Sequence, residues 1–271
     1  MPTFKSAPPP TTTLPAFGSS ERRDVGRRPS PELVGAAVAA LLAAGCGGGA
    51  PLLHGAHVLA TGATAQGAGF SGTFTTGDAR LAARSTRVAE QAAAIDALAP
   101  SVAPWVNARV GIGGDNEAGL TYTGRAVRLD VRHAFEDDDV ALSVGAGASA
   151  VLRGRDEQRD QAGNTTPAPW GFGFDIPVLV GWRSSAGVVT LWAGARGGFE
   201  KLGADASSAI DLALQRWYAG PVVGLGLGFR HVHGALELDT YFQSVSGSFA
   251  GDDVRLSGVT LAPGAGLILS F

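Results

Sequence analysis

The run Val232-His233-Gly234-Ala235-Leu236-Glu237-Leu238-Asp239-Thr240-Tyr241-Phe242-Gln243 decides the architecture. Its residues alternate. Val232, Gly234, Leu236, Leu238, Thr240 and Phe242 fall on one parity, whereas His233, Ala235, Glu237, Asp239, Tyr241 and Gln243 fall on the other. Successive side chains of an extended chain point to opposite faces, so this is a strand with an oily face and an ionic face. A helix of this sequence would scatter the same residues around its circumference.

Working outward, the pattern recurs. Phe172, Phe174, Ile176, Val178, Val180 and Trp182 oppose Gly173, Asp175, Pro177, Leu179, Gly181 and Arg183, and Val127, Leu129 and Val131 oppose Arg128, Asp130 and Arg132. Ten alternating runs can be marked, near 64–75, 104–113, 116–124, 125–134, 139–153, 169–183, 187–201, 215–230, 231–247 and 254–271. Connections on one side are short, and most on the other are long (76–103, 154–168, 202–214 and 248–253). That asymmetry belongs to transmembrane barrels. Within the first long connection Leu81, Val88, Ala92, Ile95 and Leu98 recur at helical spacing, which predicts a helix over 78–99 ended before Pro100.

Charge decides which face meets what. One parity carries Arg109, Glu117, Arg128, Asp130, Arg132, Asp175, Arg183, Arg196, Glu200, Arg216, Arg230, Glu237 and Asp239, together with many of the glycines. The opposite parity is aliphatic and aromatic. A soluble sandwich turns its charge outward and its aliphatics inward, whereas an arginine facing lipid at the bilayer midplane costs about 2–4 kcal/mol. The pattern therefore predicts an all-β fold, an antiparallel transmembrane barrel of about ten strands (8–12) with an ionic network sealed in its lumen. Ten strands enclose little more than eight, so arginine–carboxylate pairs could fill that space and leave a narrow or closed channel. Tyr122, Trp170, Phe199 and Trp217 near the long loops, with Trp182, Phe229 and Phe271 near the short turns, read as two interfacial belts.

The chain's last stretch is the most specific. Val259, Leu261, Ala265, Leu267, Leu269 and terminal Phe271 share one parity. This resembles the C-terminal insertion signal of Gram-negative outer-membrane β-barrels, carried here by Leu267, Leu269 and Phe271. The resemblance implies an outer-membrane location, lipid as the surrounding partner, and insertion by the barrel-assembly machinery.

At the other end Arg27 and Arg28 precede an apolar run, Leu33 to Ala44, followed by Gly45-Cys46. A basic region, a short apolar core and small residues before a cut describe an export signal. The stretch resembles a bacterial lipoprotein signal peptide, with Ala43 where that family prefers leucine, and it implies lipidation of Cys46. Residues 1–45 are then a dispensable N-terminal segment and signal peptide, 46–63 a flexible tether, and 64–271 the barrel. Residues 1–24 are Pro-, Thr- and Ser-rich, unlike the start of a signal, and Val25 is a candidate translation start.

Composition narrows the function. The 271 residues include 40 glycines, only 17% charged residues and a net charge of −3, which gives nucleic acid no electrostatic handle. The single cysteine excludes internal disulfides and multi-cysteine zinc sites. His231 and His233 could share a metal, but Glu237 and Asp239 lie about 13 Å or more further along the strand, so a lumenal hydrogen-bond network is the simpler reading. His54 and His57 fall in the tether and read as solvated. Gly145-x-Gly147-x-x-Ala150 mimics a dinucleotide loop without its helix. No catalytic, cofactor or metal residues emerge. The expectation is a monomeric barrel with a structural, narrow-channel or surface-interaction role and no cofactor. The alternatives are an outer-membrane enzyme acting on lipid or peptide, or a lipid-anchored soluble barrel holding a small apolar ligand.

Overall fold

The structure, a computed structural model, describes residues 51–78, 81, 101–124, 126–151, 169–204, 212–229, 231–249 and 251–271. Ten strands account for nearly all of them: β1 (Thr64–Thr75), β2 (Ser101–Gly111), β3 (Asn116–Tyr122), β4 (Ala126–Asp137), β5 (Val140–Val151), β6 (Pro169–Arg183), β7 (Val189–Ala204), β8 (Leu212–Phe229), β9 (Val232–Phe249) and β10 (Asp252–Ser270). Each pairs antiparallel with its sequence neighbours, and β1 closes on β10 in the register Ala65↔Ser270 through Phe70↔Ala265 to Thr75↔Thr260. Closure leaves no edge strand among the described residues.

The two faces divide as the alternation requires. Leu129, Phe242 and Leu267 expose 61%, 66% and 62% of their surface outward, while inward Arg128 and Glu117, at 1% and 0%, are enclosed. Trp170 and Trp217 stand outside near one rim, and Trp182, Phe229 and Phe271 near the other. Burial in this molecule therefore means burial in the lumen. Leu52, Leu53, Ala56, Trp105, Ala141, Leu179, Trp192, Val222 and Ala235 form one apolar cluster there.

Strand limits differ from the sequence-based ones mainly at the long-loop rim. β7 runs to Ala204 and β8 begins at Leu212, and the expected long loop 248–253 is a tight turn between Phe249 and Asp252. The alternation fades there because Ser244, Ser246 and Ser248 carry no polarity contrast, yet main-chain pairing continues through Ser248↔Asp253. The helix expected over 78–99 lies outside the described residues except for Asp78 and Leu81, which are helical. Residues 1–50, with the signal segment and Cys46, also lie outside them.

One expectation is corrected. Residues 51–63 are no flexible tether. The chain reverses at 60–63, where Gly62 takes φ +81° and its amide donates to the Gly111 carbonyl. The preceding residues then run up inside the barrel, where Pro51 to Leu53 and Ala56 are fully buried. The reason is volume. Gly181, Gly264, Ala141 and Ala235 on this side of the wall carry little or no side chain and leave a space that close packing requires something to fill.

Candidate functional site

The lumen holds a continuous ionic chain built from six strands. Arg109 on β2 pairs with Glu117 on β3 and, at 2.6 Å, with Asp130 on β4. Arg128 reaches Asp130 at 2.6 Å and grips Asp175 of β6 with two parallel bonds of 2.8 Å. Arg196 of β7 lies 3.0 Å from Asp175 and 3.7 Å from Asp239 of β9, whose other contact is the Tyr241 hydroxyl. Arg132 closes the lower end on Glu117 at 2.9 Å. Charges taken out of water need partners that satisfy most of their hydrogen-bonding capacity, and the planar guanidinium does so for two carboxylates at once. Room for these forks comes from missing side chains, since a Cβ on Gly147 would collide with the Arg128 guanidinium and one on Gly119 with that of Arg109.

The same wall grips residues 51–59. The consecutive amides of Leu52 and Leu53 donate to the two oxygens of the Glu237 carboxylate at 2.7 and 2.8 Å, and the Trp192 indole donates to it at 3.0 Å. Neighbouring amides converge on one anion only if the chain takes an unusual turn, and Leu53 sits at φ +46°. Arg132 donates to the carbonyls of Gly55 and His57 and to His54 Nδ1. The amides of Val58 and Leu59 donate to Glu136 and Glu117 at 2.8 and 2.9 Å. Buried main-chain groups are costly when unpaired, and wall side chains take four amides and two carbonyls of this segment.

Of the thirteen charges read from the sequence, Arg109, Glu117, Arg128, Asp130, Arg132, Asp175, Arg196, Glu237 and Asp239 are brought into this lumenal site. Arg216 and Glu200 form a separate half-buried pair at 2.6 Å towards the long-loop rim. Arg183 is corrected: as the last residue of β6 it stands at the short-turn rim, where the inward parity opens to solvent, 4.0 Å from Glu136. Arg230 lies outside the described residues. Two histidine assignments also change. His54 and His57 are buried with the lumenal segment, and His231 is outside the lumen, exposed in the turn after β8, bonded to the Ser270 carbonyl and stacked on Phe271. Among the described residues, no three histidine, cysteine or acidic side chains are grouped to hold a metal.

Sequence reading missed Trp105, Trp192 and the whole of 51–59 as lumenal. The two tryptophans were legible. Trp105 shares a parity with Arg109, Trp192 shares one with Arg196, and small residues face them, because a Cβ on Gly266 or Gly224 would strike the Trp105 or Trp192 ring. The segment was not legible, since no period marks a stretch whose contacts are made mostly through its main chain.

The sequence matches no protein-family model, and no curated protein matches it. In three dimensions the chain is similar to Neisserial surface protein A, at 10% identity over 77% of this chain and 96% of that one with a TM-score of 0.33. It is similar to Ail, the attachment invasion locus protein of Yersinia pestis, at 11% identity over 78% and 100% of the two chains with a TM-score of 0.30. The outer membrane protein OprG from Pseudomonas aeruginosa aligns at 9% identity over 78% and 96%, with a TM-score of 0.33. None is similar enough for its role to bear on this chain.

Proposed function

We propose that this chain is an integral barrel of the Gram-negative outer membrane with a sealed lumen, acting without catalysis as a structural and surface-presenting protein or a narrow channel. The observation that carries the reading is inverted amphipathicity: arginines and carboxylates enclosed, and large apolar side chains exposed on every strand, among them Phe70, Leu129, Ile176, Leu227, Phe242 and Leu267. Water would not tolerate so large an apolar exterior on a monomer, and lipid requires it. Among the described residues, the lumenal arginines and acids bond mainly to one another and to residues 51–59. Cys46 carries the acyl anchor of an exported lipoprotein, and Leu267, Leu269 and Phe271 direct insertion by the barrel-assembly machinery. Gel mobility decides the membrane reading. The unboiled protein should be extracted only by detergent and migrate faster than the boiled one; release by salt alone, with no shift on boiling, contradicts it.

A further inference from the structure

The wall around residues 51–59 is arranged like a receptor around a ligand. The barrel's ladder closes without the segment, through β1 on β10, and the only main-chain pairing near it among the described residues is the bridge Thr61↔Gly111 at its exit, with the amide contacts of that reversal. Leu52 and Leu53 belong to one apolar cluster with Leu179, Trp192, Val222 and Ala235. Small wall residues fit the segment closely: a Cβ on Gly181 would lie 2.9 Å from that of Ala56, and one on Gly264 would lie 3.1 Å from that of Pro51. Meanwhile Glu237 and Arg132 read the main chain by its amides and carbonyls. If the segment left, Arg132 would keep Glu117, and Glu237 would keep the Trp192 indole.

We propose that the short-turn half of the lumen is a peptide-binding site, and that residues 51–59 are its tethered, exchangeable ligand. The contacts define the ligand class as an extended peptide with two consecutive apolar residues. Their amides face Glu237, and a small residue follows to pass Gly181. Tethering gives a ligand an effective concentration in the mM range, so a free peptide competes poorly while the chain's own copy is attached. The inference rests on the closed barrel and not on its membrane setting, so it can fail while the membrane reading stands.

Two measurements on detergent-refolded full chain carrying Cys46→Ser test it, with mobility on boiling as the check that each variant is folded. Ala56→Cys with Gly181→Cys should form a disulfide on mild oxidation in most folded molecules. In the second, residues 51–59 are replaced by a Gly/Ser stretch of equal length, and a fluorescent synthetic peptide of residues 50–60 is titrated in. Saturable binding is expected to the emptied barrel, at least about tenfold weaker binding to the intact chain, and about a tenfold loss when Glu237→Ala is added to the emptied barrel. A folded barrel that forms no disulfide, or an emptied folded barrel that takes up no peptide, overturns the proposal. So does an emptied chain that cannot fold, because the segment would then be part of the fold and not a ligand.

Discussion

At the scale of single residues, adjacent positions on β4 obey opposite rules. Arg128 points inward between Asp130 and Asp175, while Leu129 points outward. Truncating Arg128→Ala takes one of two arginine partners from each of two buried carboxylates, leaving Asp130 to Arg109 and Asp175 to Arg196, which should cost about 1–3 kcal/mol in urea unfolding of the vesicle-reconstituted protein. Introducing the same charge one residue on, as Leu129→Arg, should cost about 2–4 kcal/mol because the guanidinium then meets lipid. In a water-soluble barrel the second change would stay within about 0.5 kcal/mol, as exposed substitutions do. Inward glycines follow a third rule. Gly224→Ala places a methyl group in the Trp192 ring, an overpacking worth about 1–3 kcal/mol in the same assay.

At the scale of elements, strands were legible because two solvents of opposite polarity act on their two faces. β1 and β6 match the runs marked in the sequence at both ends, since apolar and polar or small residues alternate along their length. Segment 51–59 was illegible for the converse reason. It has one environment on most sides, and its partners Glu237 and Arg132 are 184 and 75 residues away. Its apolar letters, Leu52 and Leu53, resemble any short linker. The segment also carries a pH dependence. Burial, reinforced by the Arg132 and Arg109 guanidinium groups, holds the His54 imidazole well below the ordinary histidine range, so the docked form is the neutral one. A released histidine takes up its proton near pH 6.5. The stabilisation His54 lends to docking is therefore complete above that pH and declines as the pH falls below it. Amide hydrogen-exchange protection factors for Leu53 to Leu59 should fall between pH 7.5 and pH 5 while those of β1 hold, and His54→Asn should lessen the difference, the remainder coming from His57, whose pKa burial also lowers.

At the scale of the whole molecule, the lumen is occupied twice, by an ionic chain that ties six strands together and by a segment of main chain packed against the same wall. The ionic half was readable as a set of charges on one parity, although their pairing across β2, β3, β4, β6, β7 and β9 required the barrel's closure to bring them together. Such a lumen predicts that the intact chain in a planar bilayer shows no stable large conductance, and a steady porin-like current would contradict a sealed interior. The central claim is the orientation of the wall, and spin-label accessibility in lipid vesicles reads it most directly. With Cys46→Ser as background, nitroxides at Leu129→Cys, Leu236→Cys and Phe242→Cys should collide freely with oxygen dissolved in the bilayer and be shielded from a water-soluble nickel reagent. Strong relaxation of those three labels by the nickel reagent, with little effect of oxygen, would contradict it.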